Sequence, residues 1–282
     1  MKISVKAYAK INLFLDITAL RSDKYHDILS LMQSVSLYDT VTVEYLPSKL
    51  KEISVFCDVE GVPCDKTNLA YRAAEIFPTD NGKIIIHIQK SIPMAAGLAG
   101  GSSDAAATMV ALNVLTGNKL SGDELKSLGA KLGADVPFCI EGGACIARGI
   151  GERLDACDPM PEFPIVIAKK GEGMSTPAAY KALDLKYNNF INYLPNTSKL
   201  NILQNSSSDA KTYCIGLYNI FEDVVESERP AVTELKRIML DFGASGAMMS
   251  GSGPSVFGLF DTPTEAESAC AALHDKGYKV KN

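Results

Sequence analysis

One segment of the 282-residue chain reads Pro93-Met94-Ala95-Ala96-Gly97-Leu98-Ala99-Gly100-Gly101-Ser102-Ser103-Asp104. It lies between a β-branched run at 83–89, typical of a strand, and an alanine-rich run at 104–115 that predicts a helix. Its glycines allow backbone N–H groups to approach an anion closely, and the positive end of the following helix favours negative charge there. The segment therefore predicts a phosphate site, although a flexible strand–helix connection with small residues would explain the same pattern.

The segment differs from the common phosphate-binding loops. No Gly-Lys-Ser/Thr follows it, so it is not a Walker A loop, and the chain carries no protein-kinase HRD or DFG segment. The hydroxyls of Ser102 and Ser103 could contact a phosphate or a magnesium ion.

Strands and helices are predicted on both sides of this segment, without strict βα alternation. The predicted strands are 3–7, 11–17, 41–45, 83–89, 144–147, 163–168, 247–250, 255–260 and one ending at 280; the predicted helices are 68–77, 104–115, one starting at Ser121, 229–242 and one starting at Thr262. Ser121 and Thr262 each stand three residues before a glutamate, the spacing of a capping box. The pattern predicts an α+β fold with domains 1–157 and 158–282.

Composition and charge restrict the function. A net charge of −5 argues against a broad nucleic-acid surface, and no stretch is apolar enough to cross a membrane. Seven cysteines without a CxxC pair, together with three histidines, make a zinc cluster improbable and indicate reduced thiols in a cytoplasmic protein. The first residues alternate like a strand and lack the apolar core of a signal peptide.

Three segments together resemble the GHMP small-molecule kinase family: Lys10-Ile11-Asn12-Leu13, the 93–103 loop, and Ser250-Gly251-Ser252-Gly253-Pro254. The resemblance implies a ribosomal-protein-like N-terminal domain that binds nucleotide and a ferredoxin-like C-terminal domain. It also implies transfer of a phosphoryl group from ATP, with Mg²⁺, to an alcohol. A plain β-hairpin turn would explain the residues at 250–254 nearly as well.

A narrower resemblance rests on four motifs: Ala9-Lys10-Ile11-Asn12-Leu13, Tyr25-His26, Leu132-Gly133-Ala134-Asp135-Val136-Pro137, and Thr176-Pro177 with Tyr180. These motifs are similar to those of family members that phosphorylate the 2-hydroxyl of a cytidine diphosphate-linked methylerythritol, in the non-mevalonate isoprenoid pathway. Two positions depart from the family pattern. Lys24 replaces a usual glycine before Tyr25, and Ala99 interrupts a loop that is often richer in glycine.

The resemblance implies that Asp135 removes the proton of the acceptor hydroxyl and that Lys10 keeps this carboxylate ionised. Without the family, Asp135 could equally cap a turn, and Lys10 could be a surface lysine with a buried stem.

For the acceptor, the resemblance implies that Tyr25 and Tyr180 sandwich the cytosine ring while His26 binds its polar edge. Asn12 and Thr176 would position the diphosphate or the sugar, beside Asp135. Each aromatic residue alone would be read as core or rim.

For ATP, the resemblance implies contacts from Asn68, Lys90 and the 93–103 loop. A helix cap is the other interpretation of Asn68, and a solvated lysine at a strand end is that of Lys90. The ligands of Mg²⁺ are not identified, and the oligomeric state is not predicted.

Two other functions remain open. One is another kinase of the family, acting on mevalonate, homoserine or a sugar, which would not need the Tyr25, His26 and Tyr180 clamp. The other is a nucleotide-binding relative without catalysis, against which the presence of both Lys10 and Asp135 argues.

Overall fold

The computed structural model of the chain describes residues 1–79, 81–205 and 209–281. Strands and helices are mixed without a regular βα repeat, so the predicted α+β class is confirmed. The strands are β1 (Lys2–Leu20), β2 (His26–Pro47), β3 (Glu52–Cys57), β4 (Gly82–Gln89), β5 (Ala144–Arg148), β6 (Arg153–Ala156), β7 (Ile165–Lys169), β8 (Tyr218–Asn219), β9 (Gly246–Met249), β10 (Val256–Leu259) and β11 (Lys279–Lys281). The helices are α1 (Leu69–Ile76), α2 (Gly100–Leu115), α3 (Gly122–Gly129), α4 (Val136–Glu141), α5 (Thr176–Lys186), α6 (Thr197–Asn205), α7 (Ala210–Cys214), α8 (Glu222–Glu228), α9 (Pro230–Asp241) and α10 (Pro263–Asp275).

The chain divides into two compact units, each assembled from separate stretches of sequence. The first unit comprises residues 1–10, 34–94 and 99–143, and the second comprises residues 11–33, 95–98 and 144–282. A single cut in the sequence does not separate these units. The domain limits 1–157 and 158–282 stay a prediction.

In the first unit, β4 pairs with two strands, antiparallel to β2 and parallel to β3. Alternate residues of β4, Ile84, Ile86 and Ile88, are buried, as the period of a half-buried strand requires. They share a core with Ala73 of α1 and Ala106 of α2, whose small side chains permit close packing. The connection from β4 leads directly to the first residue of α2.

In the second unit, four antiparallel strands follow the order β11-β7-β10-β9. Val166 of β7 and Val256 of β10 share a core with Leu235 of α9 and Leu273 of α10. This arrangement of strands and two helices agrees with the expected ferredoxin-like architecture. Also in this unit, β2 pairs with β5 at residues 30–33, and β1 pairs with β8 at Phe14 and Leu15.

Several elements differ from their predicted limits. The runs 3–7 and 11–17 form one strand, β1, because the polar residues Lys10 and Asn12 are buried inside it and do not end it. Strand β2 is longer than the predicted run 41–45. Helices α4 and α5 were not predicted, although each begins beside a proline, a residue that is common at the first position of a helix. Within the described ranges, no helix has the length and apolar character to cross a membrane.

Candidate active site

Helix α2 begins at Gly100, and not at Asp104 as the alanine pattern predicts. Ala99 precedes it in the left-handed conformation, with φ of 58° and no side-chain capping bond. Because the first amides of a helix lack acceptors within the helix, the N–H groups of Gly100, Gly101 and Ser102 can bind an external anion. The helix start thus has the properties of the predicted phosphate site, and nucleotide binding there stays a prediction.

Of the two serines predicted to contact phosphate, Ser103 uses its hydroxyl in a hydrogen bond within the protein. Its hydroxyl donates a 2.7 Å hydrogen bond to the carbonyl of Tyr8 on β1, and the residue is 2% exposed. This bond attaches the first turn of α2 to β1. Ser102, which is only partly buried, is the serine that a ligand can reach.

Lys90 lies in a buried group of charges beside the start of α2. Its ammonium pairs with Asp39 and lies 2.8 Å from Asp104 Oδ2. Asp39 also accepts hydrogen bonds from the amides of Ser91 and Ile92, at 2.5 and 2.8 Å. The alternative of a solvated lysine is therefore wrong, since only 6% of the Lys90 side chain is exposed.

The buried group carries two carboxylates against one ammonium. Burial raises the pKa of Asp104 to about 7, against the attraction of Lys90, and Asp104 Oδ1 has no hydrogen-bond partner among the described residues. Burial opposes the charge on Lys90, but Asp104 and Asp39 outweigh burial and raise its pKa. A Cβ added to Gly100 would lie 3.3 Å from Lys90 Nζ, so this ammonium lies directly against the start of α2.

The predicted catalytic pair is brought together in the first unit. Lys10 is 5% exposed, and its Nζ lies 4.0 Å from Asp135 Oδ1. Asp135 immediately precedes α4, yet its side chain makes no capping hydrogen bond and is 34% exposed. Neither alternative holds, because Lys10 is not on the surface and Asp135 does not cap the helix. The carboxylate instead faces Lys10 and remains accessible.

A thiol accompanies this pair. The amide of Cys139, on α4, donates to the carbonyl of Asp135 at 3.0 Å. Burial, reinforced by the negative charge of Asp135, raises the pKa of the Cys139 thiol. The thiol is therefore held protonated and contributes no charge beside the carboxylate.

Asn68 makes the helix cap that was its alternative interpretation. Its Oδ1 accepts a 2.8 Å hydrogen bond from the amide of Ala70, and its Nδ2 donates to the carbonyl of Pro63 at 2.6 Å. Both polar ends of the side chain are thus used in the protein. A contact of Asn68 with ATP stays a prediction.

In the second unit, His26 and Tyr180 are in direct contact. Their rings stack at 4.5 Å between centroids with an interplanar angle of 18°. His26 Nε2 lies 2.7 Å from Asp184 Oδ1, and Phe190 packs edge-on against the His26 ring at 5.7 Å. One face of Tyr180 is therefore covered by His26, so a sandwiched base would have to use the other face.

Tyr25, the other member of the predicted clamp, is 61% exposed. Its amide donates to Asp23 Oδ1 at 3.1 Å, and the preceding Lys24 has a φ of 71°. Lys24 thus adopts the left-handed conformation that favours glycine, the residue that the resemblance leads one to expect at this position.

Asn12 and Thr176 are both connected to the turn at 250–254. The amide of Asn12 donates to Ser30 Oγ at 2.9 Å, and a Cβ added to Gly251 would lie 3.6 Å from Asn12 Oδ1. The hydroxyls of Thr176 and Ser252 lie 2.9 Å apart. These contacts place the two residues around one turn, and their contacts with the substrate stay a prediction.

Residues 95–98 of the predicted loop pack against the same turn. Ser250 Oγ donates to the carbonyl of Gly97 at 3.0 Å, and a Cβ added to Gly97 would lie only 2.0 Å from the carbonyl oxygen of Ser250. The carbonyl of Ala95 accepts a hydrogen bond from Lys169 at 3.1 Å, while Leu98 is 1% exposed. Gly97 is thus required by packing as well as by its φ of 74°.

Sequence reasoning missed four polar residues of these groups: Asp39, Asp104, Asp184 and Asn219. Asn219 donates hydrogen bonds to the carbonyls of Met249 and Gly251 at 2.7 and 2.8 Å, which fixes the 250–254 turn. Asp104 ends the glycine-rich segment and so could have been singled out. Nothing local marks the others, because their partners lie far away in the sequence.

Comparison with known proteins gives concordant results over nearly the whole chain. The family model described as GHMP kinases N terminal domain matches residues 68–143, and the one described as GHMP kinases C terminal matches residues 201–279. The chain is 44% identical over 271 residues to the 4-diphosphocytidyl-2-C-methyl-D-erythritol kinase of Alkaliphilus metalliredigens (strain QYMF), covering 95% of this chain and 91% of that relative.

Two further relatives carry equivalent names. The 4-diphosphocytidyl-2-C-methyl-D-erythritol kinase of Caldicellulosiruptor saccharolyticus (strain ATCC 43494 / DSM 8903 / Tp8T 6331) is 42% identical over 275 residues, covering 95% of this chain and 92% of that relative. A crystal structure of 4-(cytidine 5'-diphospho)-2C-methyl-D-erythritol kinase matches with a TM-score of 0.77 at 31% identity, covering 97% of this chain and 96% of that chain.

Proposed function

The chain belongs to the GHMP kinase family and is an ATP-dependent kinase, and we propose that it phosphorylates the 2-hydroxyl of 4-diphosphocytidyl-2-C-methyl-D-erythritol. The observation that carries this proposal is that relatives at 42–44% identity, matched over 95% of the chain, bear the name of this kinase. The buried Lys10 beside Asp135 supports the same reaction. The reaction would belong to the non-mevalonate pathway of isoprenoid synthesis.

Asp135 acts as the general base. An alcohol is a poor nucleophile at neutral pH, and a positioned carboxylate can accept its proton as the phosphoryl group is transferred. Lys10 favours the ionised form of that carboxylate and polarises the hydroxyl. The exposed fraction of Asp135 and the absence of a capping bond support this role, since both leave its oxygens available to a substrate.

The start of α2 binds the phosphates of ATP through the amides of Gly100, Gly101 and Ser102. Lys90 supports this site from within, because its ammonium is held by Asp39 and Asp104 against Gly100. Asn68 and the remainder of the 93–103 loop complete the nucleotide contacts.

Mg²⁺ would offset the phosphate charge in this reaction. No group of three or more His, Cys, Asp or Glu in the described part of the chain could hold a metal ion. The ion would therefore be held mainly by phosphate oxygens and water, which is the usual preference of Mg²⁺, with the accessible Ser102 hydroxyl as the protein oxygen.

The cytosine of the acceptor is recognised by His26 and by the rings of Tyr25 and Tyr180. The exposed ring of Tyr25 supports this role, because it offers an aromatic surface on which a base can stack. Asn12 and Thr176 position the diphosphate or the sugar.

We place this activity in the cytoplasm, without a nucleic-acid or membrane partner. The net charge of −5 and the free thiol state of all seven cysteines support this part of the proposal.

The proposal is tested by measuring ADP release with 4-diphosphocytidyl-2-C-methyl-D-erythritol, mevalonate and homoserine as acceptors. We expect turnover with the cytidine-linked alcohol alone. The variants Tyr25→Ala, Tyr180→Ala and His26→Ala should raise the KM for that acceptor, by roughly 1–3 kcal/mol for each lost ring, and leave the KM for ATP nearly unchanged. Efficient turnover of an acceptor without cytidine would overturn the assignment.

A further inference from the structure

The loop that precedes α2 alternates in the sign of its backbone φ angle. Ala95, Gly97 and Ala99 are left-handed, with φ of 48°, 74° and 58°, whereas Ala96 and Leu98 between them are not. Such alternation turns successive N–H groups toward one side and forms a concave backbone arrangement, called a nest, that binds anions. In the described part of the chain, the amides of these five residues have no hydrogen-bond acceptor. Because unpaired backbone amides are rare in folded proteins, an anionic ligand is the expected acceptor.

The carbonyl groups of the same loop are held by donors of the second unit. The carbonyl oxygens of residues 95–97 accept, in order, from Lys169 Nζ at 3.1 Å, from the amide of Ser255 at 3.4 Å and from Ser250 Oγ at 3.0 Å. Carbonyl oxygens are negative ends of dipoles and would repel an anion. Their engagement by the protein leaves the amides as the side of the loop that a phosphate group can meet.

Lys169 holds the part of this loop whose backbone conformation is unfavourable for its residue. Gly97 adopts a positive φ at little cost, whereas the Cβ of Ala95 disfavours the left-handed conformation. Ala95 is exposed, so burial of its methyl group does not hold it there. Among the described residues, Lys169 makes the one hydrogen bond to Ala95. Lys169 ends β7, which is paired with β10 on one side and β11 on the other, so the backbone from which the ammonium extends is fixed.

We propose that Lys169 is a positioning residue for ATP: by binding the carbonyl of Ala95, it keeps the loop in the conformation whose amides bind phosphate. This inference rests on the proposed function, in which the 93–103 loop binds ATP. Lys169 acts through the loop and does not contact the nucleotide. Two interpretations compete with this one, a lysine that only stabilises the fold and a lysine that attracts the phosphates directly by its charge.

The first measurement compares ATP binding and kinetics among variants at this position. Lys169→Met keeps the length of the side chain but removes the donor, so the Kd and the KM for ATP should rise at least about tenfold. The KM for the acceptor and the melting temperature should stay near those of the unmodified chain. Lys169→Arg retains a charged donor and should restore most of the ATP affinity. Lys170→Met is the matched control and should bind ATP normally, since the ammonium of Lys170 lies over the Tyr278 ring at 4.6 Å.

The second measurement needs no ligand and reports the shape of the loop. The ¹³Cβ chemical shift of Ala95 depends on its backbone conformation, and it should change in Lys169→Met, return in Lys169→Arg and stay constant in Lys170→Met. A lysine that attracts phosphate directly would leave this signal unchanged in all three variants.

The outcomes separate this inference from the proposed function. If the unmodified chain binds ATP and Lys169→Met binds it as tightly, the role of Lys169 is overturned while the kinase assignment stands. Weaker ATP binding with an unchanged Ala95 signal, or equal weakening of ATP and acceptor with a lower melting temperature, also overturns it. If the unmodified chain does not bind ATP, both the inference and the proposed function are overturned. Selective loss of ATP affinity with a changed Ala95 signal, and recovery of both in Lys169→Arg, supports the inference.

Discussion

Asp135 combines two properties that a catalytic carboxylate needs, access to a ligand and a cation close by. A third of its side chain is exposed, and Lys10 Nζ lies 4.0 Å away in a buried position. Cys139 adds no second charge, since burial keeps its thiol protonated. The negative charge at this point therefore belongs to Asp135 alone among these three side chains.

Asp135→Asn keeps the shape of the side chain but removes the proton acceptor. Turnover should fall by roughly 10²–10⁴ while the KM for ATP changes little, because other residues hold the phosphates. Steady-state kinetics with both substrates varied provide the measurement. Asp123→Asn, an exposed carboxylate on α3, is the matched control and should keep full activity. Near-native turnover of Asp135→Asn would remove this residue from the mechanism.

Gly97 is required both by close packing and by its backbone conformation. Alanine there would bring a Cβ to 2.0 Å from the backbone oxygen of Ser250, in a conformation with φ of 74°. Gly97→Ala should therefore cost more than about 3 kcal/mol in the free energy of unfolding. Gly101→Ala, whose Cβ would meet Leu69 at an ordinary 3.6 Å, should cost little. Urea denaturation of both variants gives the comparison, and equal stability would contradict the packing argument.

The start of α2 depends on a group of three charged side chains that lie far apart in the sequence. Asp39 comes from β2, Lys90 follows β4, and Asp104 lies in the first turns of α2. The group ties the end of β4 to the beginning of the helix through side chains and through the amides of Ser91 and Ile92.

This group makes stability depend on pH through Asp104. Its pKa in the folded chain is about 7, against an ordinary value of 3.8, so between these values the folded chain holds a proton that the unfolded chain has released. The stabilisation from this proton is complete below the ordinary value and is lost as pH rises through about 7. The Asp104→Asn variant has no carboxyl group at this position, so it does not undergo this loss of stability as the pH rises.

The melting temperature of Asp104→Asn, relative to the unmodified chain, should therefore rise between pH 5 and pH 8. Differential scanning calorimetry across this range measures it. Asp123→Asn serves as the exposed control and should show a constant difference. Parallel curves for Asp104→Asn and the unmodified chain would refute the coupling.

Local signals in the sequence were sufficient for many elements. The capping boxes at Ser121 and Thr262 are both formed, and α10 begins where its proline predicts. The start of α2 was placed too late because glycine and serine are poor helix formers, and only the surrounding fold stabilises a helix there. Strand β1 was divided in two because Lys10 and Asn12 interrupt its apolar pattern.

For the candidate site, the family resemblance predicted the pairing of Lys10 with Asp135. It assigned His26 and Tyr180 to one base but did not predict that their rings stack on each other. The partners of Lys90 could not be predicted, because Asp39 carries no local motif. The same holds for Asp184, whose importance depends on a histidine far earlier in the chain. Pairs formed by tertiary structure alone leave no periodicity or spacing to detect.

At the scale of the molecule, the second unit depends on the N-terminal part of the chain. Its core joins Leu15, Ile17 and Ile28 to residues such as Val232 and Leu273. A cut between residues 157 and 158 would separate these side chains.

The fragment 158–282, expressed alone, should therefore lack a cooperative thermal transition and the dispersed NMR spectrum of a folded domain. Its core would lose three large apolar side chains, each contributing roughly 1.5–3 kcal/mol when buried. Addition of a peptide containing residues 11–33 tests whether the missing strands restore structure. A fragment that melts cooperatively by itself would instead establish the predicted domain boundary.

The core of the second unit also has a consequence for synthesis on the ribosome. Leu15, Ile17 and Ile28 are translated long before α9 and α10. With elongation at roughly 5–20 residues per second, these early side chains wait on the order of ten to fifty seconds for the helices that cover them. During that interval the nascent chain exposes an apolar strand surface, so its yield in the cell should depend on chaperone capacity more than the stability of the finished protein would suggest.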